Sequence, residues 1–164
     1  MAATVQINEY NSALETKTAN ISTGHFRGAT DSPNLADPVD DPIAAGANSY
    51  EKWWKAEVTA LGGSSKLDTW RIYLSAGSVP GSTSLLTSAD TSTPSNPAYT
   101  TPTTSASSVA IYAMPTSDPG VATITGSLTA TGETSYVTQQ VQIGGGETSS
   151  NQSGQLTFVW REIV

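Results

Sequence analysis

Apolar positions in this chain recur mostly at every second residue, which is the period of a half-buried strand. In "TVQINEY" (4–10), Val5 and Ile7 point one way, Gln6 and Asn8 the other. "SYEKWWKAEVTAL" (49–61) puts Trp54, Ala56, Val58 and Ala60 on one face and Trp53, Lys55, Glu57 and Thr59 on the other. A helix over "YEKWWKAEV" competes, but the Gly-Gly stop and the Val-Thr exit favour a strand. "LDTWRIYLSAG" (67–77) sets Trp70, Ile72 and Leu74 opposite Arg71 and Tyr73. The polar turn "GGSSK" (62–66) between these two segments predicts an antiparallel hairpin.

Further along, short edge strands are expected near 82–88 and 97–103. A strand is expected over 108–115, with either Val109, Ile111 and Ala113 or Tyr112 and Met114 inward. Residues 120–130 and 134–144 read as a pair around "TGE", with Val137, Val141 and Ile143 sharing a face with Gln139. The closing segment "QLTFVWREIV" (155–164) aligns Leu156, Phe158 and Trp160. Residues 11–48 show no sustained period and hold three prolines, so they read as an extended arm or long loop, or hide a weak strand near 18–26. These features predict one all-β domain over 1–164: a single antiparallel β-sandwich, immunoglobulin-like or jelly-roll, with eight to ten strands and long Ser/Thr/Pro-rich loops.

Composition sharpens this picture. The 164 residues include 22 Ser and 24 Thr, types that suit strands and turns better than helices. The absence of cysteine removes disulfides and thiolate metal sites. A formal charge of −7 argues against affinity for nucleic acid or anionic lipid through a basic patch. No run approaches the ~20 apolar residues of a membrane-spanning helix. "MAATVQINEY" lacks a basic region followed by an apolar core, so the expectation is synthesis in the cytoplasm.

Catalytic patterns are sparse. His25 is the one histidine, and nothing like G-x-S-x-G accompanies it. "GGG" (144–146) precedes no Lys-Ser/Thr, as a phosphate loop would require. Asp37, Asp40 and Asp41 could offer oxygens to calcium but lack the EF-hand spacing, so a solvated acidic turn is the simpler reading. Glu51 and Glu57 lie six residues apart on one strand face, roughly 20 Å by strand rise, too far for paired carboxylates in glycoside hydrolysis. "NIS" at Asn20 and "NQS" at Asn151 match a glycosylation acceptor pattern that has meaning only in a secreted chain. The expectation is therefore no enzyme, no cofactor and no bound metal.

Aromatics are the remaining signal. Trp54, Trp70 and Phe158 read as core. Trp53 and Tyr73 share faces with charged residues, so either the 11–48 segment covers Trp53 or another subunit does. The contact candidates are Trp53, Tyr73, Phe158, Trp160, Ile163 and Val164. Aromatics on a sandwich could also stack on sugars, which makes a carbohydrate-binding or host-adhesion module the rival from a different class.

Several stretches together carry a resemblance. "SPNLADPVDDPIAAGANSYEKWWKAEVTALGGSSKLDTWRIYLSAG", "AYTTPTT" with "YAMPTSDPG", and "TFVWREIV" resemble segments of small structural proteins of tailed bacteriophages. Those chains also place a short strand after Met-Ala, an Asn-Ser-x-Glu-Lys-Trp segment before Gly-Gly-Ser-Ser, and an aromatic, acidic closing strand. This chain closes on Trp-Arg-Glu-Ile-Val, where that group closes on a Tyr-Asp-Glu-Val type of ending. The resemblance implies a virion component. The expected role is a capsid decoration (cement) protein that binds the major capsid protein as a homo-oligomer, a trimer being the natural form at a three-fold position. A neck, tail or baseplate location is the close alternative.

Overall fold

The computed structural model describes residues 1–11, 16–26, 28, 42–77, 84–89, 112–147 and 153–164, with only the backbone given at 11, 84–89 and 112. Nine strands lie among the described residues: β1 (Thr4–Asn11), β2 (Thr16–Thr18), β3 (Lys52–Ala60), β4 (Lys66–Gly77), β5 (Ser84–Ala89), β6 (Tyr112–Ala113), β7 (Gly132–Glu133), β8 (Val137–Gln142) and β9 (Gly154–Ile163). Every pairing among them is antiparallel. No helix occurs among the described residues. The fold is all-β and sandwich-like, as the alternation predicts.

A large sheet runs in the order β2-β1-β3-β8-β5-β6, with β7 also on β3; a small sheet holds β4 and β9. One face of the large sheet carries Val5, Ile7, Ala56, Val58 and Val137 toward the small sheet, and β4 answers with Leu67, Trp70, Ile72 and Leu74. From β9, Leu156, Phe158 and Trp160 pack against the same core. Burying apolar area at ~25 cal/mol per Å² is the main stabilising term here.

The predicted β3–β4 hairpin does not form. β3 pairs with β1, β7 and β8, whereas β4 pairs with β9. Residues 61–65 are instead an arch from one sheet to the other, so the apolar faces of β3 and β4 meet across the core. Gly62 makes the arch at φ +63, and a Cβ there would collide with the Met1 and Ala2 carbonyls. A polar turn reads alike in a hairpin and an arch; the two apolar stripes decide, because only the arch buries both.

Two further expectations are corrected. Residues 121–130 are not a strand paired with 134–144 but line the outer edge of β4, through bridges Leu67–Leu128 and Trp70–Ile124. β5 overlaps the segment expected at 82–88, yet it lies inside the sheet between β8 and β6 and is not an edge. Of the 11–48 arm, 16–18 forms β2, and Asp37, Asp40 and Asp41 fall outside the described residues. The strand expected at 97–103 and the 108–111 part of the next one also lie outside them.

β4 contains two extra residues relative to β9, one at Ser75, between the Leu74–Leu156 and Ala76–Gln155 pairs, and one nearer its start. Asp68 pairs with Arg161 and Arg71 with Val159, so Thr69 and Trp70 together oppose Trp160. Thr69 absorbs this bulge at φ 54, a left-handed conformation uncommon for a β-branched residue.

Candidate functional site

The adjacent tryptophans answer their own question. Trp54 faces the core side of β3, where its ring lies against Gly24, and a Cβ at that glycine would overlap it. Trp53 faces the opposite side and is 0% exposed. Its ring meets Tyr136 edge-on at 5.2 Å, and Tyr136 meets Tyr10 edge-on at 5.3 Å. The Trp53 indole N–H donates to buried Glu51 at 3.1 Å. Trp53 is therefore removed from the contact candidates: β3 sits centrally in the large sheet, and the chain's own aromatics cover both of its faces.

Beside this aromatic group lies a cluster of charge. Glu57 and Glu133 are directly opposite partners on β3 and β7. The Lys17 ammonium bridges them, 2.7 Å from Glu57 and 2.9 Å from Glu133. Gln6 and Asn8 each donate a side-chain amide to Glu57 at 2.7 Å. The Tyr10 hydroxyl donates a short hydrogen bond to Glu133. Lys55 lies 3.5 Å from Glu133 and stands over the Tyr136 ring at 4.1 Å.

These contacts fix the protonation states. The Lys17 and Asn8 hydrogen bonds hold the Glu57 carboxyl below its ordinary range. Burial pushes Glu133 up, but the Tyr10 hydrogen bond and the Lys17 and Lys55 charges outweigh it, and the net shift is downward. Burial, reinforced by the bond to Glu133, drives the Tyr10 phenol well above its usual value. Two ionised carboxylates held by cations and amides form a clasp that ties β2 to the sheet. A general acid–base pair instead needs one member held protonated. Sequence reading weighed Glu57 only against Glu51, which it set too far away, and missed Glu133, whose proximity comes from a strand pairing 76 residues apart. The "TGE" turn was the one available signal.

A second ion pair is fully buried. Lys52 lies 2.6 Å from Glu9, with their side chains 1% and 0% exposed. Gln139, the register partner of Lys52, is equally buried. Neither end of its amide has a hydrogen-bond partner among the described residues. Among the described residues, no group of three or more His, Cys, Asp or Glu side chains is placed to hold a metal ion.

The other contact candidates gather on the small sheet. Tyr73 is half-buried on its outer face. Ile163 is 37% exposed and Val164 94%. Phe158 and Trp160 point inward but stay only partly buried, Trp160 tilted against Trp70 at 5.5 Å. Val5 and Ile7 on β1 are also half-buried, so the sandwich is open along its β9 side.

Among the described residues, the outer edge of β9 has no strand partner. Which backbone groups face that edge follows from β4. Leu67 exchanges both its backbone hydrogen bonds with Leu128, Trp70 accepts from Thr123 and Ile124, and Leu74 donates to Pro115. Ile72 donates to the Thr123 hydroxyl. These four residues therefore turn their backbone away from β9. In an antiparallel ladder their opposites do the same. Leu156, Phe158, Trp160 and Glu162 thus present N–H and C=O groups outward.

The C-terminal end of β9 is pinned. Arg161 forks onto Asp68 at 2.8 and 3.0 Å. Glu162 accepts from Ser64 at 2.9 Å and from the Trp160 indole at 3.3 Å, which lowers its affinity for a proton.

Comparison of the chain with protein-family models, curated proteins and solved structures finds no match.

Proposed function

We propose that this protein is a non-enzymatic structural component of a bacteriophage virion, a capsid decoration protein that covers seams of the shell. The observation that carries the reading is the open β9 side of the sandwich. There a strand edge without a partner among the described residues and the half-buried Leu156, Phe158 and Trp160 combine hydrogen-bonding capacity with apolar area. Such an edge is suited to taking up a further strand. The resemblance of the 32–77 and 157–164 stretches to tailed-phage structural proteins supplies the biological setting, with the major capsid protein as the principal partner. A protein that binds only the assembled shell stabilises it by mass action, without bond-making chemistry.

The ionised state of both clasp carboxylates supports a non-catalytic role for that cluster. A sugar-stacking platform needs flat exposed rings, and Trp53, Trp54 and Trp70 are buried. That burial weighs against the carbohydrate-binding alternative.

The test is to mix the purified chain with undecorated phage shells. Co-sedimentation at saturating stoichiometry, with a raised shell melting temperature, is the expected result. Failure to bind shells, with antibody labelling at the neck, tail or baseplate in electron micrographs, would move the protein to another virion position.

A further inference from the structure

We infer that β9 is a self-recognition edge: two copies of this chain pair β9 to β9 in antiparallel fashion about a two-fold axis at Val159. The pairing rests on the covering role proposed above and specifies it: the strand taken up at the β9 edge is that of a second copy, so the unit that covers the shell is the dimer, although it is formed and measured without any shell.

Four observations lead there. First, β9 is ten residues long and contains no Pro or Lys, the residues that commonly blunt an exposed edge. Its one cation, Arg161, is turned onto Asp68 and neutralised. Second, the outward backbone groups belong to Leu156, Phe158, Trp160 and Glu162, a set evenly spaced about position 159. An antiparallel copy centred there pairs Leu156 with Glu162 and Phe158 with Trp160, each twice. All four outward residues are then satisfied at once, with about eight backbone hydrogen bonds. Shifting the register by two residues leaves one outward residue of each copy unpaired.

Third, the side chains agree with the backbone. In this register Phe158 of each copy faces Trp160 of the other on the inner side, an aromatic cross-strand pair that closes the open rim of both sandwiches. Fourth, charge selects the direction. Antiparallel pairing sets Arg161 opposite Thr157 and Glu162 opposite Leu156. Parallel pairing would align Arg161 with Arg161 and Glu162 with Glu162 along the seam, which is repulsive. The result is a four-stranded sheet, β4-β9-β9-β4, spanning two molecules. This contact closes at two copies; a three-fold assembly would need a different surface.

The chain's lack of cysteine makes the register directly testable. At the axis the two Val159 residues form a non-hydrogen-bonded pair with Cα atoms about 4.5 Å apart, within disulfide reach. The full-length chain should sediment as a dimer in analytical ultracentrifugation. V159C should cross-link to a covalent dimer when oxidised glutathione is added, the two thiols being oxidised as the glutathione disulfide is reduced. T157C should not, because each Thr157 lies opposite Arg161, four residues away from its own copy. V159E places a carboxylate across the strand from Arg71 within the chain but against its own copy at the axis. It should weaken the dimer at least about tenfold while melting as a folded protein.

A wild-type chain that stays monomeric at all concentrations overturns the inference. So does T157C cross-linking as readily as V159C, or a V159E dimer of unchanged affinity. A dimer that ignores phage shells would instead overturn the covering role and leave the pairing standing. Shell binding by a strict monomer would do the reverse.

Discussion

Trp53 and Trp160 sit on strands of similar composition, yet one is sealed and the other is not. β3 has neighbours on both edges and cover on both faces, so even one of its two lysines, Lys52, is inside. Among the described residues β9 has one neighbouring strand, and its inward aromatics stay half open. Position within the sheet, and not residue type, decides whether an aromatic is core or contact surface. The lesson for this chain is that the pair of adjacent tryptophans gives no reason to expect a partner, whereas the plainer strand at residues 154–163 does.

The contrast can be broken by truncation. Trp53→Ala should cost about 4 kcal/mol and Trp160→Ala about 2 kcal/mol in urea unfolding, because only the first leaves a closed cavity. Equal losses would mean that the β9 side is as tightly packed as the centre. The buried ion pair sharpens the same point. Lys52→Met leaves the Glu9 carboxylate without its buried cation and should cost about 3 kcal/mol. Adding Glu9→Leu should return most of that loss; a double variant no better than the single would show that the pair holds the sheet in register.

Acid is the next lever. Glu57, Glu133 and Glu162 bind protons less readily in the folded chain than in the unfolded one. Their contribution is complete above the ordinary glutamate range near pH 4.5 and declines as pH falls through their lowered folded values. Melting temperature should therefore be flat from neutrality to about pH 5 and drop below it. Lys17→Ala should have the smallest effect, under about 1 kcal/mol at neutral pH, because its side chain is 36% exposed and solvent screens the bridge. It should also flatten part of the acid decline. A decline unchanged in that variant would place the acid-sensitive groups elsewhere, at Asp68, held ionised by Arg161 and Lys66, and at Glu162.

Much of this was legible from alternation alone. β3 and β8 lie within segments read as strands, β1, β4 and β9 exceed theirs by one residue each, and the facing of Val5, Trp54, Ile72 and Gln139 was as read. Partners were not legible. Alternation tells which face a residue takes but not which strand lies beside it, so β3 and β4 were paired with each other instead of across the core. Glu133 went unnoticed for the same reason. The inside position of Lys52 and Glu9 was hidden as well, since two charges that neutralise each other look in sequence like two solvated ones.

Thr69 has a consequence of its own. Leu67 faces inward, Asp68 outward, Trp70 inward and Arg71 outward, so removing Thr69 would leave an unbroken alternation and every pair with β9 intact. The residue is thus dispensable for facing; its contribution is to the path of the strand, bending β4 where it passes Trp160. A chain lacking Thr69 should fold with both faces preserved but with a straighter small sheet. The curvature that this one threonine imposes then becomes a property that can be switched off by itself.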